Sequence, residues 1–181
     1  MTNTAITSML HGDTYVQIPG GDDPQKVQVM GTNNSFWRLF SFSFIEGKPF
    51  SEEEFQSGFP RVVVSESLAR RIFSTATGVT GKSILLDDTE YSVSGVVKDI
   101  SAVTPSVYAD MWMPYTSIPL VMAASNERDV SVGLLTVCIL PVDGMGADEV
   151  SLELEEMIDR YNMTLADGKL SMMNGVETHL T

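Results

Sequence analysis

Residues 27–73 constrain this chain more than any other stretch; they read VQVMGTNNSFWRLFSFSFIEGKPFSEEEFQSGFPRVVVSESLARRIF. A strand ends at Gly31-Thr32. Asn33 or Asn34 can cap a short helix by accepting a bond from its free N–H groups. Phe36, Trp37, Leu39 and Phe40 cover most of that helix, and Phe42, Phe44 and Ile45 continue the apolar run. Nothing polar is interleaved to orient a ligand, so these aromatics read as core. Ser51 and Glu54 then stand at capping-box spacing, with Phe50 and Phe55 at the two staple positions around them. Glu52, Glu53 and Glu54 suit the positive end of a helix, so capping accounts for the acidic triplet without metal or acid–base chemistry. Residues 61–64 are a β-branched run without alternation, the pattern of a strand buried on both faces. Ser65 caps the next helix, whose apolar stripe is Leu68, Ala69, Ile72 and Phe73, with Arg70 and Arg71 facing out. Strand then helix across a tight turn signals a mixed α/β (α+β) fold.

The rest of the chain supplies strands to pair with this unit. Residues 14–18 and 26–30 form a hairpin across the Pro19 to Pro24 turn. Residues 84–86 and 91–98 form another around Asp87-Asp88-Thr89-Glu90, with Gly95 marking a bulge or a close backbone approach. Residues 108–114 read as a strand with Tyr108, Asp110, Trp112 and Pro114 on one face, and 134–140 as a strong central strand. Residues 5–10 form an opening strand, 125–129 a polar loop tip and 169–173 a last strand. The longest helix spans 148–161, with Val150, Leu154, Met157, Ile158 and Tyr161 on its apolar face.

Chemistry is scarce. The formal net charge is −13, from 11 basic and 24 acidic side chains. Nucleic-acid binding needs clustered Lys and Arg, and an anionic membrane face repels such a chain. Cys138 is the one cysteine; it sits in the apolar run 135–140 and reads as a buried structural thiol. His11 and His179 lie near opposite ends with no partner at zinc-ligand spacing. Gly81-Lys82-Ser83 has the tail of a phosphate loop, but Ala76 occupies the place of its first glycine and a strand follows where a helix is required. Asp22-Asp23 and Asp87-Asp88 are turn residues. The residues therefore indicate no catalytic, cofactor-binding or metal site. No apolar run reaches the roughly 18–20 residues needed to span a bilayer, and the first ten residues lack a signal-peptide pattern. The chain reads as soluble and without an address, a pattern equally open to a soluble piece cut from a longer membrane protein.

Several segments, in order, resemble the MacB-like periplasmic core domain of ABC-transporter permeases of the MacB, LolC and FtsX type. They are Val29-x-Gly31-Thr32, Phe36-Trp37 through Phe44, Glu46-Gly47-Lys48-Pro49-Phe50 and the unit from Val62 to Ala69. Phe73, Gly81-Lys82, Tyr91-x-Val93-x-Gly95-Val96-Val97-Lys98-Asp99 and Trp112-x-Pro114-Tyr115 follow. The likeness runs from about residue 27 to 115 and more weakly beyond; the family's membrane-proximal segment is not evident ahead of Ala5. The resemblance implies a two-lobed core over residues 1–181, one lobe inserted in the other. The inserted lobe lies within 27–97, and the first and last segments pair to form the membrane-proximal lobe. It implies a non-catalytic domain on the periplasmic side of the inner membrane, in contact with it through flanking helices absent from this chain. It implies a cytoplasmic ATPase acting through the permease's membrane helices. It also implies a periplasmic adaptor or lipoprotein partner, with motion coupled to export, lipoprotein release or an envelope partner. The alternative is a free periplasmic or secreted binding domain.

Overall fold

The β-branched run of residues 61–64 lies in the interior of one mixed sheet. The computed structural model describes residues 3–9, 14–104, 106–118, 136–141, 144 and 146–164. Among these, ten strands and four α-helices follow in the order β1 (Asn3–Met9), β2 (Thr14–Gln17), β3 (Gln25–Val27), β4 (Val29–Thr32), α1 (Asn34–Leu39), β5 (Phe44–Gly47), α2 (Glu52–Gln56), β6 (Arg61–Ser65), α3 (Glu66–Phe73), β7 (Ser83–Leu86), β8 (Thr89–Val97), β9 (Met111–Pro114), β10 (Thr136–Leu140) and α4 (Ala147–Thr164). The sheet runs β10-β1-β4-β9-β6-β8-β7-β2-β3, and β5 pairs with β8 beyond the β7 register. β4 with β9 and β6 with β8 are parallel; the other pairs are antiparallel. The fold is α+β, as the sequence indicates.

The path closes on itself. β3 and β4 are consecutive in the chain, joined through Gln28, so strands β4, β9, β6, β8, β7, β2 and β3 return to the segment they left. Strand parity then sorts side chains between two cores. Val62 and Val64 of β6, Met111 and Met113 of β9 and Val29 of β4 join Leu68, Ala69 and Ile72 of α3 in the first core. Val63, Trp112 and Met30, one residue out of phase on the same strands, join Phe36 of α1 in the second. Covering on both faces is why residues 61–64 show no alternation. It is also why the in–out pattern that starts at Val27 stops at Met30, which is 2% exposed.

The caps form as expected. The Asn33 side chain accepts from Phe36 N–H at 3.2 Å and from Ile6 N–H at 3.1 Å, tying β1 to the helix it caps. Ser51 and Glu54 form the full capping box. Phe50 and Phe55, however, take different ring partners, Trp37 and Tyr115. The second hairpin turns on Asp87 and Asp88 alone (φ +45° and +62°), a two-residue turn with both residues left-handed, and Thr89 and Glu90 already belong to β8. Gly95 is both a bulge and a close approach. The β6–β8 register slips there, and a Cβ on Gly95 would lie 2.9 Å from Lys48 N.

Four expectations need correction. The strand of residues 134–140 is not central: its described part, β10, ends the sheet path, pairing with β1. A β-branched apolar run encodes a strand but not its rank in the sheet, and here Val137 is 54% exposed. Cys138 is consequently half-buried rather than buried, with burial pushing its thiol pKa up. The apolar face assigned to the last helix is also largely uncovered: Val150 and Leu154 are half-buried but Met157 is 54% exposed. Periodicity marks a face that can be covered without supplying the cover. The side chains of Ile158 and Tyr161 lie outside the described residues, as do His11, His179 and residues 125–129 and 169–173. The strand expected over 108–114 starts only at Met111, because Tyr108 N–H turns back to the Thr104 carbonyl.

Candidate functional site

The phosphate-loop tail and Glu54 of the acidic triplet are both engaged in holding the fold. A phosphate loop aims its backbone N–H groups at the ligand. Here Gly81 N–H donates to the Val93 carbonyl and Lys82 N–H to the Val79 carbonyl, and Ser83 opens β7. In the acidic triplet, Glu54 Oε2 accepts from Ser51 N–H at 2.7 Å and Oε1 pairs with Arg61 Nε at 2.7 Å. Burial opposes ionisation of Glu54, but the Ser51 bond and the Arg61 charge outweigh it and hold its pKa below the usual range. Among the described residues no group of three or more His, Cys, Asp or Glu is placed to hold a metal ion.

Three carboxylates that the sequence does not single out do the most connecting. Glu46, at the end of β5, accepts the N–H groups of Gly78, Val79 and Thr80 at 2.6, 2.8 and 2.6 Å, and the Thr80 hydroxyl at 2.8 Å. Burial works against its ionisation and is outweighed by the Thr80 hydroxyl and the three N–H donors, which take the pKa down to about 2. Asp99 caps the first turn of α3, accepting Ser67 N–H at 2.8 Å and its hydroxyl at 2.6 Å. Asp110 Oδ2 accepts Gln28 N–H at 2.9 Å where the chain passes from β3 to β4. The Gln28 carbonyl takes Asp110 N–H and Met111 N–H in return. Arg71 reaches Asp110 at 3.6 Å and the Lys26 carbonyl at 3.2 Å, covering the outer side of β3. Each partner lies 32 to 82 residues away along the chain, so no local spacing announces these bonds.

The Glu46 clasp carries a measurable pH dependence. Its folded pKa of about 2 lies below the ordinary 4.5. The stability it contributes is therefore complete above pH 4.5 and drains away as the pH falls toward 2. Allowing for solvent screening, this amounts to about 1–2 kcal/mol. Urea midpoints at neutral and at about pH 3 should show the loss in the parent chain and a clearly smaller one in Glu46→Gln.

The carboxylates Glu46, Asp99 and Asp110 brace loops across the sheet. Residues 3–157 match the family model of the MacB-like periplasmic core domain, so the opening strand β1 falls inside the match. The chain is 22% identical over 140 residues to the pyoverdine export ATP-binding/permease protein PvdT of Pseudomonas entomophila, covering 76% of this chain and 20% of that protein. It thus spans about a fifth of the length of that relative. In fold it is similar to the periplasmic region of MacB from Actinobacillus actinomycetemcomitans, with TM-score 0.65 and 16% identity over 87% of this chain and 67% of that one. It is likewise similar to the extracellular domain of the noncanonic ABC-type transporter YknZ from Gram-positive bacteria, with TM-score 0.64 and 16% identity over 92% and 78% of the two chains. No helix among the described residues is long and apolar enough to cross a membrane. A two-core sheet braced by carboxylates, matched over nearly its whole described length, places this chain in the family of MacB-like periplasmic core domains of ABC-transporter permeases.

Proposed function

We propose that the chain is the non-catalytic extracytoplasmic domain of its permease, on the periplasmic side of the cytoplasmic membrane. In this reading it passes nucleotide-driven movement of the membrane helices to export, to lipoprotein release or to an envelope partner. The observation that carries the proposal is the register of β1 with β10. Asn3 stands opposite Leu140, so the first and last strands among the described residues lie side by side. A domain carried between two membrane helices needs that geometry. β1 also pairs with β4 from Thr7↔Thr32 to Met9↔Met30 and is hooked by Asn33, so displacement of the ends reaches both cores.

The same pairing supports a two-lobe division, with β1 and β10 in a membrane-proximal lobe and the inserted lobe within residues 27–97. The driving partner is a cytoplasmic ATPase acting through the membrane helices, and the envelope partner an adaptor or lipoprotein. Two experiments test this. The coding sequence should place apolar segments of about 20 residues on both sides of the domain; a cleavable leader upstream with a stop soon after Thr181 would make it a free envelope protein instead. In the intact assembly, replacing residues 14–118 by a short linker should leave basal ATP hydrolysis in place and abolish transport. Transport that survives the replacement would refute the coupling role.

A further inference from the structure

β1 changes partner part-way along. Its residues 3–7 pair with β10, and its residues 7–9 pair with β4. Thr7 is the one residue common to both ladders, standing between Thr136 of β10 and Thr32 of β4. The first half of β1 and β10 therefore form a two-stranded ribbon that overhangs the end of β4. Residues directly opposite one another in antiparallel strands share a face. A row of three threonines thus crosses the sheet where the ribbon joins it. Thr136 is exposed, Thr7 is 5% exposed and Thr32 is 0% exposed.

The next rung of the β1–β4 ladder is made by a side chain. Asn33 N–H donates to the Ile6 carbonyl at 3.2 Å, but the Asn33 carbonyl turns into α1 and accepts Phe36 N–H. Ile6 N–H is taken instead by Asn33 Oδ1 at 3.1 Å, the same oxygen that caps Phe36. Past this rung, among the described residues, the ribbon rests on the second core through Ala5 and Cys138. Apolar contact is non-directional and tolerates a shift, whereas a hydrogen bond weakens steeply once misaligned. At the same junction Thr32 Oγ1 is buried with no hydrogen-bond partner among the described residues. An orphaned buried hydroxyl is costly, and an apolar group of the same shape is not. Such a group asks for an explanation, and a second arrangement in which it is bonded supplies one. Thr7, its cross-strand neighbour, carries a hydroxyl on the same face. We propose that the ribbon hinges at Thr7, that the Asn33 side chain is its latch, and that the unlatched position is held by a bond between the Thr7 and Thr32 hydroxyls. A twist about Thr7 leaves the β1–β10 ladder intact. The device belongs to the chain itself and stands apart from the permease reading; within that reading it sets whether displacement of β1 carries α1 with it.

The test puts nitroxide labels on the full chain at Val137→Cys, on the exposed side of β10, and at Glu90→Cys, exposed on β8, with Cys138→Ser to remove the native thiol. Their separation is read by pulsed electron–electron resonance. With no further change one distance is expected. Asn33→Ser keeps the α1 cap, because serine caps as well as asparagine, but its oxygen lies one bond nearer the backbone and falls short of Ile6. A second distance should then appear, its population raised about tenfold by the loss of one hydrogen bond. Adding Thr32→Val should remove that second distance. Thr32→Val alone should raise Tm by about 2–4 °C, since it deletes the orphaned hydroxyl. A single unchanged distance in Asn33→Ser, or a diffuse spread in place of a second one, would overturn the proposal. So would a second distance indifferent to Thr32→Val, or a fall in Tm on that substitution.

Discussion

Trp112→Ala should lower the stability of this domain by about 4 kcal/mol, a fall in Tm of about 8–16 °C for a chain of this size. Trp112 is fully buried at the centre of the second core. It sits on β9, between β4 and β6, so its backbone is held on both sides. Its ring meets Trp37 at 6.2 Å and Phe42 at 5.8 Å, both T-shaped, and its indole N–H donates to the Val107 carbonyl at 3.2 Å. Phe36, Trp37 and Phe42 pack on one another in turn at 4.9 to 5.3 Å. Truncation removes the ring on which α1 and the segment after it rest, and paired strands cannot close inward to refill the space. Trp112→Phe separates the two contributions: it keeps an apolar ring and leaves the Val107 carbonyl without its donor, at a cost of about 1–2 kcal/mol. Chemical denaturation of the two variants provides the check. Equal losses would assign the effect to the hydrogen bond, and a loss under about 1 kcal/mol in Trp112→Ala would refute the packing account.

What the sequence discloses is local, and what it withholds is pairing. The capping box at Ser51 and Glu54, the Asn33 and Ser65 caps, the Asp87-Asp88 turn and the doubly buried run at Val62, Val63 and Val64 each depend on neighbours within a few residues. All of them are legible. The rank of β10 at the end of the sheet depends on which strand finds which, and no residue in Thr136–Leu140 records that. The carboxylate clasps are hidden for the same reason. Glu46 looks like part of a turn because its three N–H partners lie more than 30 residues further on. Asp110 looks like an ordinary strand residue, although its partner Gln28 is the point where the chain changes from one sheet neighbour to another. The family likeness is readable through motif order, whereas no single motif carries chemistry.

Gly47→Ala should cost about 3–4 kcal/mol, against about 1 kcal/mol for Gly78→Ala, although both glycines have φ +69°. Left-handed backbone alone penalises an alanine by about 1–2 kcal/mol, and that cost is common to both sites. Their surroundings differ. A Cβ on Gly78 meets nothing within 4 Å, whereas one on Gly47 would lie 2.2 Å from the Ser94 carbonyl oxygen and 2.7 Å from Gly95 Cα. Those are backbone atoms of β8, and neither strand is free to retreat. Ser94 O accepts Lys48 N–H at 3.1 Å, Ser94 Oγ donates to the Val62 carbonyl at 3.1 Å, and Gly47 itself pairs with Gly95. Glu46, one residue earlier, is held by its clasp on residues 78–80. An added methyl must therefore separate β5 from β8 at the bulge or break that clasp. Because the backbone term is shared, the difference between the two variants in chemical denaturation isolates the close approach of the strands. It should be about 2 kcal/mol or more. Equal losses would mean that β5 can shift on β8 without resistance, and the bulge at Gly95 would then not be the rigid point around which the β5–β8 pairing is set.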